Sequence, residues 1–249
     1  MLGLGNSITS ITSGALLGGE VLPSDISGLQ IWYKNATGVT AAQWDDSSGN
    51  GRHAVQSTSN LQGTVTDGGI DFSDAVPQDF YTITESSGYV DMGGTNAFTL
   101  AVVMKRESAA ADDMTLIGGT SHNNVIMFLS EEVVRYRNSG SGGANVEATF
   151  GTDTWEVDDK MLFTMVKDTS GNLEFYKNGA QVTPSFNANH PNAGEGLTAR
   201  FLGTRTDGTH DSNDFQWDGV IYEFVLYNTE LTGDDLSNLN NNLTSKFSL

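Results

Sequence analysis

The sequence predicts an all-β protein: two antiparallel sheets packed face to face, with one short C-terminal helix. Three observations carry this. Short apolar or alternating runs recur between clusters of Gly, Asn, Asp and Ser, with no fixed-period repeat and no long linker. Of 249 residues, 29 are Gly, while hydrophobic residues are 37% and charged residues 17%, so small uncharged residues replace both classes. Aromatics nonetheless stand at 9%, more than a disordered chain of low hydrophobicity carries.

The elements follow in chain order. Residues 1–22 are rich in Gly, Ser and Thr and have no basic residue; the first is Lys34, so a secretory n-region is not visible. Such a stretch is either a mobile tail or an arm tied to something else. We expect an arm packed on a neighbouring subunit, followed by a sandwich domain over 23–249. Strands are expected at Leu29–Tyr33, Gly69–Phe72, Tyr89–Met92, Phe98–Lys105, Met114–Ile117, Val125–Leu129, Val133–Arg137, Met161–Lys167, Leu173–Lys177, Thr198–Gly203 and Val220–Tyr227. Phe98, Leu100, Val102, Phe163, Phe175, Ile221 and Phe224 are expected to be buried on facing sheets. Asp168–Asn172 links two strands through a Gly-containing loop, and Asn178-Gly179 suits both positive-φ positions of a type I′ hairpin turn. The helix closes the chain: Thr232 can cap it, Asp234 and Asp235 sit in its first turn, and Leu236, Leu239, Leu243 and Phe247 form one apolar stripe.

Charge and composition exclude several function classes. With 12 Lys+Arg against 31 Asp+Glu the formal charge is −19, which repels phosphate backbones and anionic lipid. Neither nucleic acid nor a membrane surface is expected as a partner. No cysteine is present, so disulfides and thiolate metal sites are excluded, and no run of 18 apolar residues exists. The four histidines form no H-x-x-x-H or H-E-x-x-H pattern, and G-x-S-x-G and G-x-x-x-x-G-K are absent. His210-Asp211 and Asp112-Asp113 read as exposed turns. Glu131-Glu132 are adjacent, so on a strand they would point to opposite faces.

Residues 28–54 carry a resemblance. Gly28-Leu29-Gln30-Ile31-Trp32 is followed by Trp44-Asp45-Asp46-Ser47-Ser48-Gly49-Asn50-Gly51, and Gly219–Phe224 with Leu226-Tyr227-Asn228 forms a matching closing strand. Gly69–Phe72 and Phe175–Gly179 fit middle strands. Over roughly Ile26 to Leu239 the chain resembles the concanavalin A-like lectin/glucanase superfamily, in its laminin-G-like branch. The resemblance implies a two-sheet antiparallel jelly-roll sandwich, with first and last strands side by side and the 46–51 loop near residue 218. It also implies calcium at that loop, held by Asp46, Asn50 and Asp218, with Glu223 as an alternative to Asp218. Tyr222 stands where the family has an acid, so a turn held by hydrogen bonds is the competing reading. The family's hydrolases carry E-x-D-x-E on one strand, and no such motif occurs here; no catalytic residues and no cofactor are expected. Sugar-binding sandwiches stack pyranoses on exposed aromatics. Trp32 and Trp44 read as packed, Trp155 as core, and Tyr81, Tyr89 and Tyr136 as surface. The Asn35 and Asn242 sequons read as accidental.

The reading that follows is a non-enzymatic structural protein on a bacteriophage virion, a capsid decoration or head-surface protein, whose MLGLGNS start resembles those of small marine-phage structural proteins. Its expected partners are other virion proteins through the arm, a host surface glycan and further copies of itself. A carbohydrate-binding receptor module of a tail or fibre is the alternative.

Overall fold

A computed structural model of the chain describes residues 20–73, 78–92, 97–107, 113–119, 124–137, 145–188, 190, 197–205 and 216–249. Most of the arm (1–19) and the His210-Asp211 turn lie outside these residues. The strands are β1 (Leu29–Tyr33), β2 (Gln43–Trp44), β3 (Ala54–Val55), β4 (Thr64–Thr66), β5 (Gly69–Phe72), β6 (Tyr81–Ile83), β7 (Val90–Asp91), β8 (Phe98–Arg106), β9 (Met114–Gly118), β10 (Val125–Phe128), β11 (Val133–Arg137), β12 (Asn145–Thr149), β13 (Met161–Lys167), β14 (Leu173–Lys177), β15 (Ala180–Val182), β16 (Ser185–Phe186), β17 (Thr198–Ala199), β18 (Phe201–Leu202) and β19 (Gly219–Tyr227). One helix, α1 (Gly233–Phe247), follows.

Two large antiparallel sheets pack face to face, the expected jelly-roll sandwich. The first runs β15-β14-β13-β8-β19-β5-β4, with β1 beside β19; the second runs β16-β12-β11-β10-β9-β18-β6-β3-β2. The run expected over Thr198–Gly203 is split, β17 pairing with β7 apart from β18. Strand β19 organises the first sheet. Along one edge it pairs with β8; along the other, Gly219–Ile221 meets β5 and Phe224–Tyr227 meets β1.

Strands β8, β13 and β19 are apolar without strict alternation because both of their faces are covered. Phe98, Leu100, Val102 and Met104 point inward, while Ala101 and Val103 point outward under α1 with Leu162, Val225, Leu236, Leu239 and Leu243. The seven residues expected in the core are all buried, at 1% exposure or less. They do not face one another across the sandwich, however: all seven lie on the first sheet. Their opposing partners come from the second sheet, such as Phe128 against Phe163, with ring centroids 5.1 Å apart. Sheet membership follows from pairing between distant strands, which apolar pattern alone does not encode.

Two local details also differ from expectation. Thr232 occupies the N-cap position of α1 in an extended conformation, but its side chain makes no capping hydrogen bond. Tyr81 and Tyr136 are buried rather than surface residues. The Asn178-Gly179 turn has positive φ at both positions (50° and 80°), as the I′ geometry requires. A bulge interrupts β19 between Ile221 and Glu223, leaving Tyr222 as the extra residue. Tyr222 packs in the outer apolar cluster and the Glu223 side chain meets Trp32 of the same cluster, so both consecutive residues face outward.

Candidate functional site

The loop after β2 is built around one carboxylate. Asp46 Oδ1 accepts the amides of Trp32 (2.9 Å) and Ser48 (2.9 Å), and Oδ2 accepts the Ser48 hydroxyl (2.7 Å) and the Arg52 amide (3.0 Å). A carboxylate offers about four lone-pair sites, so the protein's own donors occupy them all. Gly49 and Gly51 turn the chain at φ 88° and 72°. Asn50 Nδ2 donates to the carbonyls of Leu29 (3.1 Å) and Gln30 (3.0 Å), and Tyr33 closes the loop by donating to the Arg52 carbonyl (2.8 Å).

The three residues expected to share calcium are not brought together. Asn50 lies against Leu29, which pairs with Tyr227 at the end of β19, whereas Asp218 precedes its start. Nine residues of strand separate those ends, roughly 30 Å. The expectation that the loop nears residue 218 failed because β1 pairs only with the second half of β19. Glu223 is committed elsewhere. Almost fully buried, it accepts Trp32 Nε1 (2.8 Å) and the Asn35 amide (3.3 Å) and pairs with the Lys246 ammonium of α1. With Asp46 saturated, Asn50 presenting a donor and Glu223 neutralised, this set does not fit a hard cation that needs six to eight oxygens. The Asn242 sequon is equally committed: its amide donates to Glu20 Oε1 (3.0 Å) and the Val21 carbonyl (3.1 Å).

Beside the loop lies an open groove of about 440 Å³, lined by Ala36, Gly38, Val39, Thr40, Ala42, Gln43 and Asp45. Its wall is the β1–β2 connection. Ala36 and Gly38 adopt positive φ (53° and 59°), and the Thr40 amide donates to the Gln43 carbonyl (2.8 Å). Gly38 is required here because an added Cβ would come 2.4 Å from Asp45 Oδ2. The Asp45 side chain is 49% exposed. Its Oδ1 accepts Gln43 Nε2 (2.5 Å) and lies 3.3 Å from His53 Nδ1, which itself accepts the Asp46 amide (3.1 Å). The groove therefore presents a carboxylate, an amide, a hydroxyl and three small apolar side chains. That set can accept hydroxyl hydrogen bonds and cover a small apolar face. All four tryptophans are buried, so none offers a stacking platform. The groove has little signature in the sequence; its one visible signal is the Thr40–Gln43 turn ahead of the Trp44–Gly51 motif.

Comparison with known proteins adds the lineage. A laminin-G-type family model, described as the concanavalin A-like lectin/glucanases superfamily, matches residues 78–237. No curated protein matches the sequence. Among solved structures, the binding domain of Paraclostridial Mosquitocidal Protein 1 superposes with a TM-score of 0.63 at 12% identity, covering 89% of this chain and 53% of that one. A botulinum neurotoxin type C structure, whose description concerns cell entry through two ganglioside molecules, gives 0.57 at 15% identity over 87% and 51%. Trypanosoma rangeli sialidase in complex with sialic acid gives 0.58 at 13% identity over 89% and 33%. The chain thus spans about half of the toxin chains and a third of the sialidase, and the likeness is one of fold.

Proposed function

The chain belongs to the concanavalin A-like lectin/glucanases superfamily, and on that premise we propose that it is a non-catalytic glycan-binding module. The observation that carries this reading is the 36–45 groove, where a half-exposed Asp45 carboxylate and the Gln43 amide sit beside small apolar side chains. A carboxylate that accepts two neighbouring hydroxyls of a sugar fixes its orientation, and the low walls admit one face of the ring. Binding rather than hydrolysis is favoured because glycoside cleavage needs two carboxyl groups about 5–9.5 Å apart with free oxygens. Here Asp45 is the only acid lining the groove, and the oxygens of neighbouring Asp46 are filled. A glycan array followed by calorimetry tests the reading: Asp45→Asn should weaken binding of the selected neutral sugar at least tenfold at unchanged melting temperature. A protein that retains no glycan, or an Asp45→Asn variant that binds as wild type, would refute it.

The finer reading places the module on a bacteriophage virion, held by the arm of residues 1–22. Its support is the sequence start, and residues 20–21, the described end of the arm, are held by Asn242 of α1. Deleting residues 1–22 should leave the sandwich folded and abolish incorporation into particles, read by mass spectrometry of purified virions.

A further inference from the structure

The outer face of the second sheet carries a concentration of positive charge that the groove does not use. The chain has six arginines and a net charge of −19, yet Arg135, Arg137 and Arg205 lie close enough to act on one another, and Arg200 joins the same sheet where its amide donates to the Gly118 carbonyl. Along β11 the side chains alternate: Val134 and Tyr136 enter the core, so Arg135 and Arg137 point out. Across the sheet, Arg137 pairs with Val125, Val125 with Gly118, and Gly118 with Phe201. The backbone at Arg205 crosses this row, its carbonyl 2.8 Å from where a Gly118 Cβ would stand. Arg200 lies over the Phe201 ring at 4.9 Å.

The balance of charge on this face is uneven. Arg135 is met by Glu147 (2.7 Å) and Asp113 (3.5 Å). No described carboxylate lies within ion-pair distance of Arg137 or Arg200. Arg137 Nε is buried with no hydrogen-bond partner, so a ligand meets this guanidinium through its Nη groups. Burial first, and then the Arg137 charge, hold the Arg205 guanidinium below its usual range, opposed by Asp113. Among the described residues, a positive patch of this kind on a strongly negative molecule favours an anionic ligand.

We propose that this face binds an acidic glycan through the guanidinium groups of Arg137 and Arg200. Guanidinium groups form two parallel hydrogen bonds to carboxylate or sulfate, which favours such groups over hydroxyls. Three strand spacings separate the two arginines' positions, about 14 Å. One monosaccharide does not bridge that distance, so the ligand is an oligomer with acidic groups on more than one sugar. The proposal takes its kind of ligand from the glycan-binding reading but is independent of the groove.

Biolayer interferometry on the full chain tests it with polygalacturonate as the carboxylated probe, dextran sulfate as the sulfated one and dextran as the neutral one. Wild type should bind one or both acidic probes and not dextran, and binding should weaken as salt rises. Arg137→Gln with Arg200→Gln should lower that affinity at least tenfold, and Arg200→Gln alone should lower it measurably. Free galacturonate should compete far less well than its hexamer. Asp45→Asn should leave acidic binding unchanged, so loss of the groove and loss of this face are told apart. Equal binding of dextran, no binding of either acidic probe at low salt, or wild-type affinity in the single and double variants would overturn the proposal.

Discussion

Replacing Asp46 with alanine should unseat the motif loop without any contribution from metal. The carboxylate accepts four hydrogen bonds, and one of the donors, the Trp32 amide, belongs to a buried residue of β1. Stranding a buried amide costs about 1–3 kcal/mol, and each of the three part-exposed donors loses about 0.5–1 kcal/mol before water replaces it. The expected loss is therefore about 3–5 kcal/mol. For a domain of this size each kcal/mol moves the melting temperature by about 2–4 °C, so a fall of roughly 6–20 °C is expected. Asp46→Asn keeps one accepting oxygen and should lose about half as much. Differential scanning calorimetry with and without chelator is the assay. Chelator should leave the wild-type curve in place, because the oxygens are filled by the chain itself. A loss below about 1 kcal/mol in the alanine variant, or a chelator effect as large as the mutation, would refute the reasoning and restore calcium to the loop.

Other expectations follow from single residues. Phe163 is fully buried and meets Phe128 and Trp155 at 5.1 Å, so Phe163→Ala should cost about 3–5 kcal/mol in denaturant unfolding. Arg106 ends β8 fully buried; its Nη1 donates to the Trp155 carbonyl (2.7 Å) but Nε and Nη2 have no partner, and burial pushes its pKa down to about 10. Arg106→Met should be at least as stable as wild type, since an apolar chain of similar reach removes an ill-satisfied charge, whereas Arg106→Ala should lose about 2–3 kcal/mol to the cavity. His190 stacks on Phe186 at 3.7 Å and accepts the Leu173 amide at Nε2 (3.3 Å), and burial, opposed by Asp168, holds it below the usual histidine range. The folded state then binds fewer protons than the unfolded one just below pH 6.5, so stability should fall as pH drops through about 6 and toward 5. His190→Phe should flatten that slope in a series of melting curves.

Much of the fold was legible because its central strands announce themselves. Met161–Lys167, Phe98–Arg106 and Gly219–Tyr227 are long apolar runs, covered inside by the second sheet and outside by the outer apolar cluster with α1. Asn145–Thr149, by contrast, reads as polar loop: Asn145, Glu147 and Thr149 face outward, and Val146 and Ala148 alone mark its inner face. Two-residue strands such as Gln43–Trp44 and Ala54–Val55 are too short to show any period. Asp46 was visible as a turn-former from its motif, but its saturation was not, since three of its donors are backbone amides that any residue supplies. The groove was silent for the same reason: a positive φ at Ala36 has no signature in the residue type. Asp218 was misplaced because position along a strand says nothing of which half of it a neighbour covers.

The extra residue at Tyr222 gives the closing strand an editable frame. Upstream of it Ile221 faces the core, downstream Phe224 and Leu226 do, and Tyr222 and Glu223 between them share the outer side. Removing Tyr222 would join Ile221 to Glu223 with the in-out alternation intact, turning the bulged ladder against β8 into a regular one. Removing any one of residues 224–226 instead would invert the strand beyond it, sending core side chains toward α1 and outer ones into the sandwich. A length change of one residue can thus be absorbed at Tyr222 or Glu223, while residues 224–226 admit none. Natural variants of this domain that differ by a single residue in the last strand should carry the difference there.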